Sequence, residues 1–259
     1  MGSPRTLSAV AAVVVAAGLV GCSPTVDPSP PKPASMLLAP TALPAGFTAV
    51  AATVAELVAA NAGPLAAASR APIAPLECRP TADADLNKRL DDDNAAVLAA
   101  RSSAAALSNL VFAGTRDIDA DVRERTGACA TTRTTIVGGA RAGAVVTAEH
   151  RRLAPPILNG VAPGRLGRLG RLAIAQMFVV RTDTTTTLPD GATSRAVSFA
   201  AYAAARTPGP AATGDYTIAV TVAGDSTPFA TPFPEVAEPM SDQEFVELFS
   251  KALAAAAQR

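Results

Sequence analysis

The apolar residues change their spacing along the chain, from helical in the first third to alternating or β-branched in the second half. Phe47, Val50, Val54, Leu57 and Val58 recur at helical intervals and Gly63-Pro64 follows, which predicts a first helix over 43–61. Residues 70–80 hold Pro72, Pro75 and Pro80 and predict an irregular segment carrying Cys78. A short helix is expected over 82–90. Another is expected over 117–125, where Ile118 and Val122 lie four apart before Gly127, and Cys129 would then open the next strand. Residues 95–112 give conflicting signals: their alanine content favours helix, whereas Leu107, Leu110, Val111 and Phe112 close before Gly114 as a strand does. A strand is expected in the second half of that stretch.

Further on, the β-branched run 131–137, the turn material of 138–143 and the apolar run 144–147 predict an antiparallel hairpin. Two longer strands, 172–187 and 194–206, flank Leu188-Pro189-Asp190-Gly191, whose Pro-Asp-Gly sequence is turn chemistry. Tyr216, Ile218, Val220 and Val222 alternate with Thr217, Ala219 and Thr221, the pattern of a half-buried strand. The last helix starts at a capping box, Ser241-Asp242-Gln243-Glu244, with Met240 placed to staple onto Phe245. Phe245, Leu248, Phe249, Ala252 and Leu253 mark its apolar face. These elements predict an α+β fold, a curved antiparallel sheet of about five strands with N- and C-terminal helices packed on it. Composition adds that the core is thinly filled: 49% of the residues are hydrophobic, yet there are eight Phe, two Tyr and no Trp.

The amino terminus reads as an address. A short region with Arg5 precedes an uncharged run over 7–20, shorter than a membrane span and shaped as the core of a signal peptide. The run closes with Leu19-Val20-Gly21-Cys22, which resembles the lipobox of bacterial lipoproteins. The resemblance implies cleavage before Cys22, diacylglycerol on its thiol and a further acyl chain, palmitate, on the new amino group, a multi-chain anchor that holds stably. Residues 1–21 are then a lipoprotein signal peptide and 22–35 a Pro-rich tether expected to favour extended polyproline II. Residues 36–259 are expected to form a single α+β domain. The 22 basic and 22 acidic residues balance, and Arg5 is the only charge removed with the signal, so no electrostatic footprint for nucleic acid is present.

With Cys22 consumed by lipid, Cys78 and Cys129 remain, in a compartment that permits disulfides, and they are expected to pair. Candidate chemistry is sparse. His150 is the one histidine and no G-x-S-x-G accompanies it, which argues against a hydrolase and, with no spare cysteine, against the usual zinc sets. Residues 138–143 outline a phosphate loop but lack its Lys and Ser/Thr. Asp83, Asp85 and Asn87 match the start of an EF-hand loop, but Lys88 stands where Gly is required and Asn94 where Glu is required. Asp91, Asp92 and Asp93 beside it read as a solvated acidic face or as a loose calcium contact. No catalytic residue, metal site or cofactor motif emerges. The repeat over 164–172, three Gly-Arg-Leu units near Arg151 and Arg152, reads as a loop leading into a strand or as a contact for anionic headgroups or glycan. Phe229 and Phe233, among Pro228, Pro232 and Pro234, read as cover for the sheet edge or the mouth of a pocket.

Taken together, the lipobox, the Pro-rich tether, a helix followed by Cys78, a second Cys after a short helix, and a capped terminal helix resemble a family of actinobacterial, chiefly mycobacterial, lipoproteins. That family is similar to the extracellular sensor domain of mycobacterial Ser/Thr kinases, an α+β sheet with disulfides and a central cleft. The resemblance implies a non-enzymatic protein on the extracytoplasmic face of the cell membrane, binding a lipid or cell-wall-derived ligand in a cleft. It carries no cleft residue over to this chain, which has cysteines for one disulfide where the sensor domain has two. The alternative is an envelope protein–protein interaction module without a small-molecule ligand.

Overall fold

A computed structural model describes residues 30–158, 167–207, 214–232, 235–236 and 238–258. The signal segment, Cys22, the first Gly-Arg-Leu unit of the repeat, Phe233 and Pro234 lie outside the described residues. In chain order the elements are β1 (Thr48–Val50), α1 (Val54–Arg70), β2 (Ile73–Ala74), α2 (Ala82–Asn87), β3 (Ala95–Arg101), β4 (Ala105–Phe112) and α3 (Ile118–Arg125). Then follow β5 (Thr131–Thr135), β6 (Val145–Arg152), β7 (Gly167–Leu169), β8 (Leu172–Thr187), β9 (Thr193–Arg206), β10 (Asp215–Gly224) and α4 (Asp242–Ala257). All strands join one antiparallel sheet that does not close, ordered β1-β3-β4-β10-β9-β8-β6-β5-β2, with β7 pairing β8 off that path.

The expectation of about five strands is therefore corrected to ten among the described residues. The strands that escape a periodicity reading are those whose side chains are short or whose run is brief. β3 is Ala-Ala-Val-Leu-Ala-Ala-Arg, with a helix former's composition, but both its edges are paired, to β1 and β4, and the ladder overrides its propensity. β1, β2 and β7 have two or three residues each, too few for any period. β8 matches its expected bounds, and the β8–β9 turn closes with Gly191 N–H donating to Leu188 O at 2.9 Å, Gly191 having φ +89°.

The first helix is displaced. It starts at Val54 because Thr53 and Glu56 form a capping box, and it runs through Gly63-Pro64 to Arg70. Phe47 and Val50, assigned to it from spacing, precede it, Val50 within β1. Cys129 lies in a 3-10 turn, Gly127–Ala130, immediately before β5 rather than within the strand. Its partner is Cys78; the two form a disulfide across a sequence separation of 51, with Cα atoms 5.3 Å apart.

Both faces of the central strands are covered, so β10 is buried on both faces from Tyr216 to Val220 and not half-buried as its alternation suggested. Tyr216, Ile218, Val220 and Val222 join Val197, Phe199, Ala201 and Ala203 of β9 beneath α4, whose Phe245, Leu248, Phe249, Ala252 and Leu253 are buried there. Met240 and Phe245 share that cluster, as the staple requires. The segment leading to β1 lies on the same face: Met36 and Leu38 are buried, Leu38 N–H donates to Asn109 Oδ1 at 2.8 Å, and Tyr216 Oη donates to Pro31 O at 2.8 Å. The opposite face packs Phe112, Phe178, Val180, Tyr202 and Ala219 against Val54 of α1, Leu86 of α2 and Ile118 of α3. Helices from the two chain ends thus sit on opposite faces of one sheet.

Candidate functional site

The second face carries the most deeply buried ion cluster; a separate network joins Arg181 to Asp183, Glu238 and Asp242 near the start of α4. Arg116 follows β4, and its backbone N–H is fixed by Thr217 Oγ1 of β10 at 2.9 Å. Its guanidinium donates to Asp121 Oδ2 through Nε at 2.5 Å and to Asp121 Oδ1 and Asp83 Oδ1 through Nη2 at 2.7 and 2.6 Å. Arg125, one helical turn beyond Asp121 on α3, bonds the same two carboxylates. Both guanidinium carbons face the Tyr202 ring, at 4.0 and 5.9 Å from its centroid. Two arginines and two aspartates neutralise each other, with Asp121 and the Arg116 side chain 0% and 1% exposed and Asp83, at 37%, on the solvent side of the cluster.

The electrostatics follow from that packing. Burial opposes ionisation of Asp83, but the charges and hydrogen bonds of Arg116 and Arg125 outweigh it and hold the carboxyl below its usual range. Burial, then the Asp83 charge, pushes the Tyr202 phenol up to about 12 against the pull of the arginines. Beside the cluster, Glu124 Oε1 accepts from Thr81 N at 2.8 Å and Thr81 Oγ1 at 2.5 Å, linking α3 to the start of α2.

Next to this cluster, α1 and α2 stand off the sheet and leave a cleft of about 280 Å3. Leu57, Asn61 and Leu65 line it from successive turns of α1, and Leu86, Asn87 and Leu90 from α2 and the residues after it. Leu110, Ala219, Tyr202 and the hydroxyl pair Ser108 Oγ···Thr221 Oγ1, 2.7 Å apart, form its floor, and Asp83 and Arg116 its charged wall. On the other flank of Arg116, a polar groove of about 390 Å3 is lined by Asp85, Arg89, Thr115 and Asp117.

The residues singled out from sequence disperse. Of the failed EF-hand set, Asp83 is in the ion cluster, Asn87 lines the cleft and Asp85 is exposed. Asp91 Oδ1 accepts from the backbone N–H of Asp93 and Asn94, and Asp92 Oδ1 from Val54 N–H at the start of α1. The acidic run is thus partly structural, closing a turn and holding a helix end. Among the described residues no group of three His, Cys, Asp or Glu side chains is arranged to hold a metal ion. His150 Nδ1 pairs with Thr182 Oγ1 at 2.8 Å on the second face. The Gly-rich stretch is the 3-10 turn Gly139–Arg141 between β5 and β6. Phe229 lies under the Arg141 guanidinium at 5.2 Å, and Ala230 bridges to Thr193, so this part of the aromatic and proline cluster covers the start of β9 beyond the end of β10. Arg116 was missed from sequence; the only local signal was the Asp121–Arg125 spacing on α3.

Comparisons with protein-family models, with curated proteins and with solved structures found no match to this chain. Among the described residues no helix is long and apolar enough to cross a membrane.

Proposed function

We propose that this chain is an exported lipoprotein of the kind its lipobox and tether resemble, held through Cys22 at the extracytoplasmic face of the cell membrane. There it binds an apolar ligand, a lipid or cell-wall-derived fragment, in the α1–α2 cleft without chemical turnover. The observation that carries the reading is the leucine-lined cleft beside a charge cluster that is already neutralised within itself. At about 280 Å3 it falls just below the usual range of small-molecule sites, about 300 to 1,000 Å3, so the ligand it takes is small or only partly enclosed. Its apolar lining supports an acyl chain or similar body, and a wall with no spare charge supports an uncharged one.

Native mass spectrometry of the protein purified from its own membrane tests this. The expected result is lipid mass on the Cys22 peptide together with a released apolar ligand. Leu57→Trp, which fills the cleft from its α1 side, is expected to abolish ligand retention and leave lipidation unchanged. Lipidated protein with nothing bound would overturn the ligand reading and favour the interaction module, for which the exposed edge strand β1 offers an unpaired ladder. An unlipidated Cys22 would overturn the anchor.

A further inference from the structure

The floor of the cleft continues beyond its roof. Across β4, β10 and β9 the second face is laid out in register rows, Leu110, Ala219 and Tyr202 in one and Ser108, Thr221 and Ala200 in the next. The first row packs in one apolar cluster with Leu86 of α2, whereas Ser108 and Thr221 bring hydroxyls to the lining. The row after these, Ala106, Ala223 and Ser198, lies outside the cleft lining, with Ala223 exposed and the other two partly exposed. None of the residues in these rows is charged. Strand spacing and residue rise make the last two rows a plateau of small side chains about 10 Å by 7 Å. Two polar groups of the lining lack a partner. Tyr202 is 5% exposed and no described group hydrogen-bonds its hydroxyl, although two guanidinium groups face its ring. Asn87 donates to Val58 O through Nδ2 at 3.2 Å, but its Oδ1 is buried without a donor.

We infer that the cleft takes an uncharged glycolipid, its acyl chain among the leucines and its sugar head on the Ser/Thr rows, with Tyr202 hydrogen-bonding the head. The inference rests on the ligand reading proposed above and names the chemical class of that ligand. A hydroxyl both donates and accepts, so the hydroxyls of a sugar answer the Tyr202 O–H and the Asn87 Oδ1 alike, whereas an ester or ether oxygen answers only the first. The bond between Ser108 Oγ and Thr221 Oγ1 uses one hydroxyl hydrogen and leaves the other to donate. Small side chains let a flat ring approach the sheet closely, and the plateau has the breadth for a ring with several hydroxyls. Charge selects against the other heads. Asp83 and Arg116 on the cleft wall are paired with each other, so a charged head would give up hydration there without gaining a counter-charge. A ligand with its chain inside and its head on the open row also suits a cleft of about 280 Å3, which encloses only part of it.

Native mass spectrometry of the full-length protein, purified from its own membrane and kept in amphipol, tests the inference by competition. The probes are dodecyl glucoside, dodecanol and dodecylphosphocholine, equimolar, which share a chain and differ in the head. The expected result is retention of the glucoside about tenfold or more above the other two, the gain that two or three net hydrogen bonds supply. Tyr202→Phe is expected to lower glucoside retention about two- to tenfold and leave dodecanol unchanged. Ala223→Arg, at an exposed position that no packing depends on, lays a long side chain over the plateau and is expected to bring the glucoside down to the level of dodecanol. Equal retention of glucoside and dodecanol, or a preference for dodecylphosphocholine, would overturn the sugar head and leave the apolar cleft standing, provided Leu57→Trp abolishes the retention. Retention of none of the three would overturn the ligand reading and the inference with it.

Discussion

Arg116 is the side chain on which the second face depends most. Its charge is buried with Asp121 and shared with Asp83, so removing one partner strands the other in a region of low dielectric. Asp121→Ala is expected to lower unfolding free energy by about 3–5 kcal/mol in urea titration. Arg116→Met combined with Asp121→Leu is expected to cost less than the sum of the single changes, since the pair is lost without leaving a lone charge. His150 makes a different prediction. Burial, then the neighbouring Arg125 charge, lowers its pKa to about 4, so the ring is neutral in the folded protein at pH 7. The unfolded chain protonates near the ordinary value of about 6.5. The unfolded state therefore binds more protons as pH falls. The neutral ring's contribution is complete above about pH 6.5 and is lost on the way to about pH 4, roughly 1–2 kcal/mol once partial exposure is allowed for. His150→Gln is expected to flatten the unfolding free energy across that window.

At the scale of elements, α1 carries a testable flaw. Pro64 sits inside it, deleting one helical hydrogen bond and crowding the preceding turn. Pro64→Ala is expected to stabilise the protein by about 1–2 kcal/mol, less than the full helix-interior penalty because proline also restricts the unfolded chain. A thermal melt with unchanged or lower Tm would mean that α1 bends there for a reason of packing. The same proline explains why the helix was misplaced from sequence: Gly63-Pro64 is a strong local stop signal, and only the Thr53 capping box, which the apolar spacing of Phe47 and Val50 obscured, marks the true start. Elements whose cues are local and periodic were legible, including β8, the turn at Gly191 and the capped α4. β3 was not, because its strand character comes from the ladders on either side of it. The site was least legible of all. Asp83 and Arg116 are 33 residues apart, and Leu57 faces Thr221 across the cleft only because the sheet brings β4 and β10 together.

For the whole molecule, the sheet divides the protein into two halves that differ in how they are held. α4 and the segment around Met36 are bound to the first face by a continuous apolar cluster. The second face has the smaller cluster, the ion network and the cleft, and its α2, α3, β3 and β4 all lie within the loop closed by Cys78 and Cys129. Closing a loop of that length is worth about 4 kcal/mol through the unfolded chain. That cross-link acts on the half with less apolar burial, so its loss is expected to be felt unequally. In Cys78→Ser/Cys129→Ser, hydrogen exchange is expected to quicken in α2 and α3 well before α4, and the cleft, one wall of which is α2, is expected to lose the ligand proposed for it while the first face stays protected. Equal acceleration in α4 would mean that the two faces unfold as one unit, and that the ion cluster and cleft are part of a single cooperative core rather than a separable layer built on it.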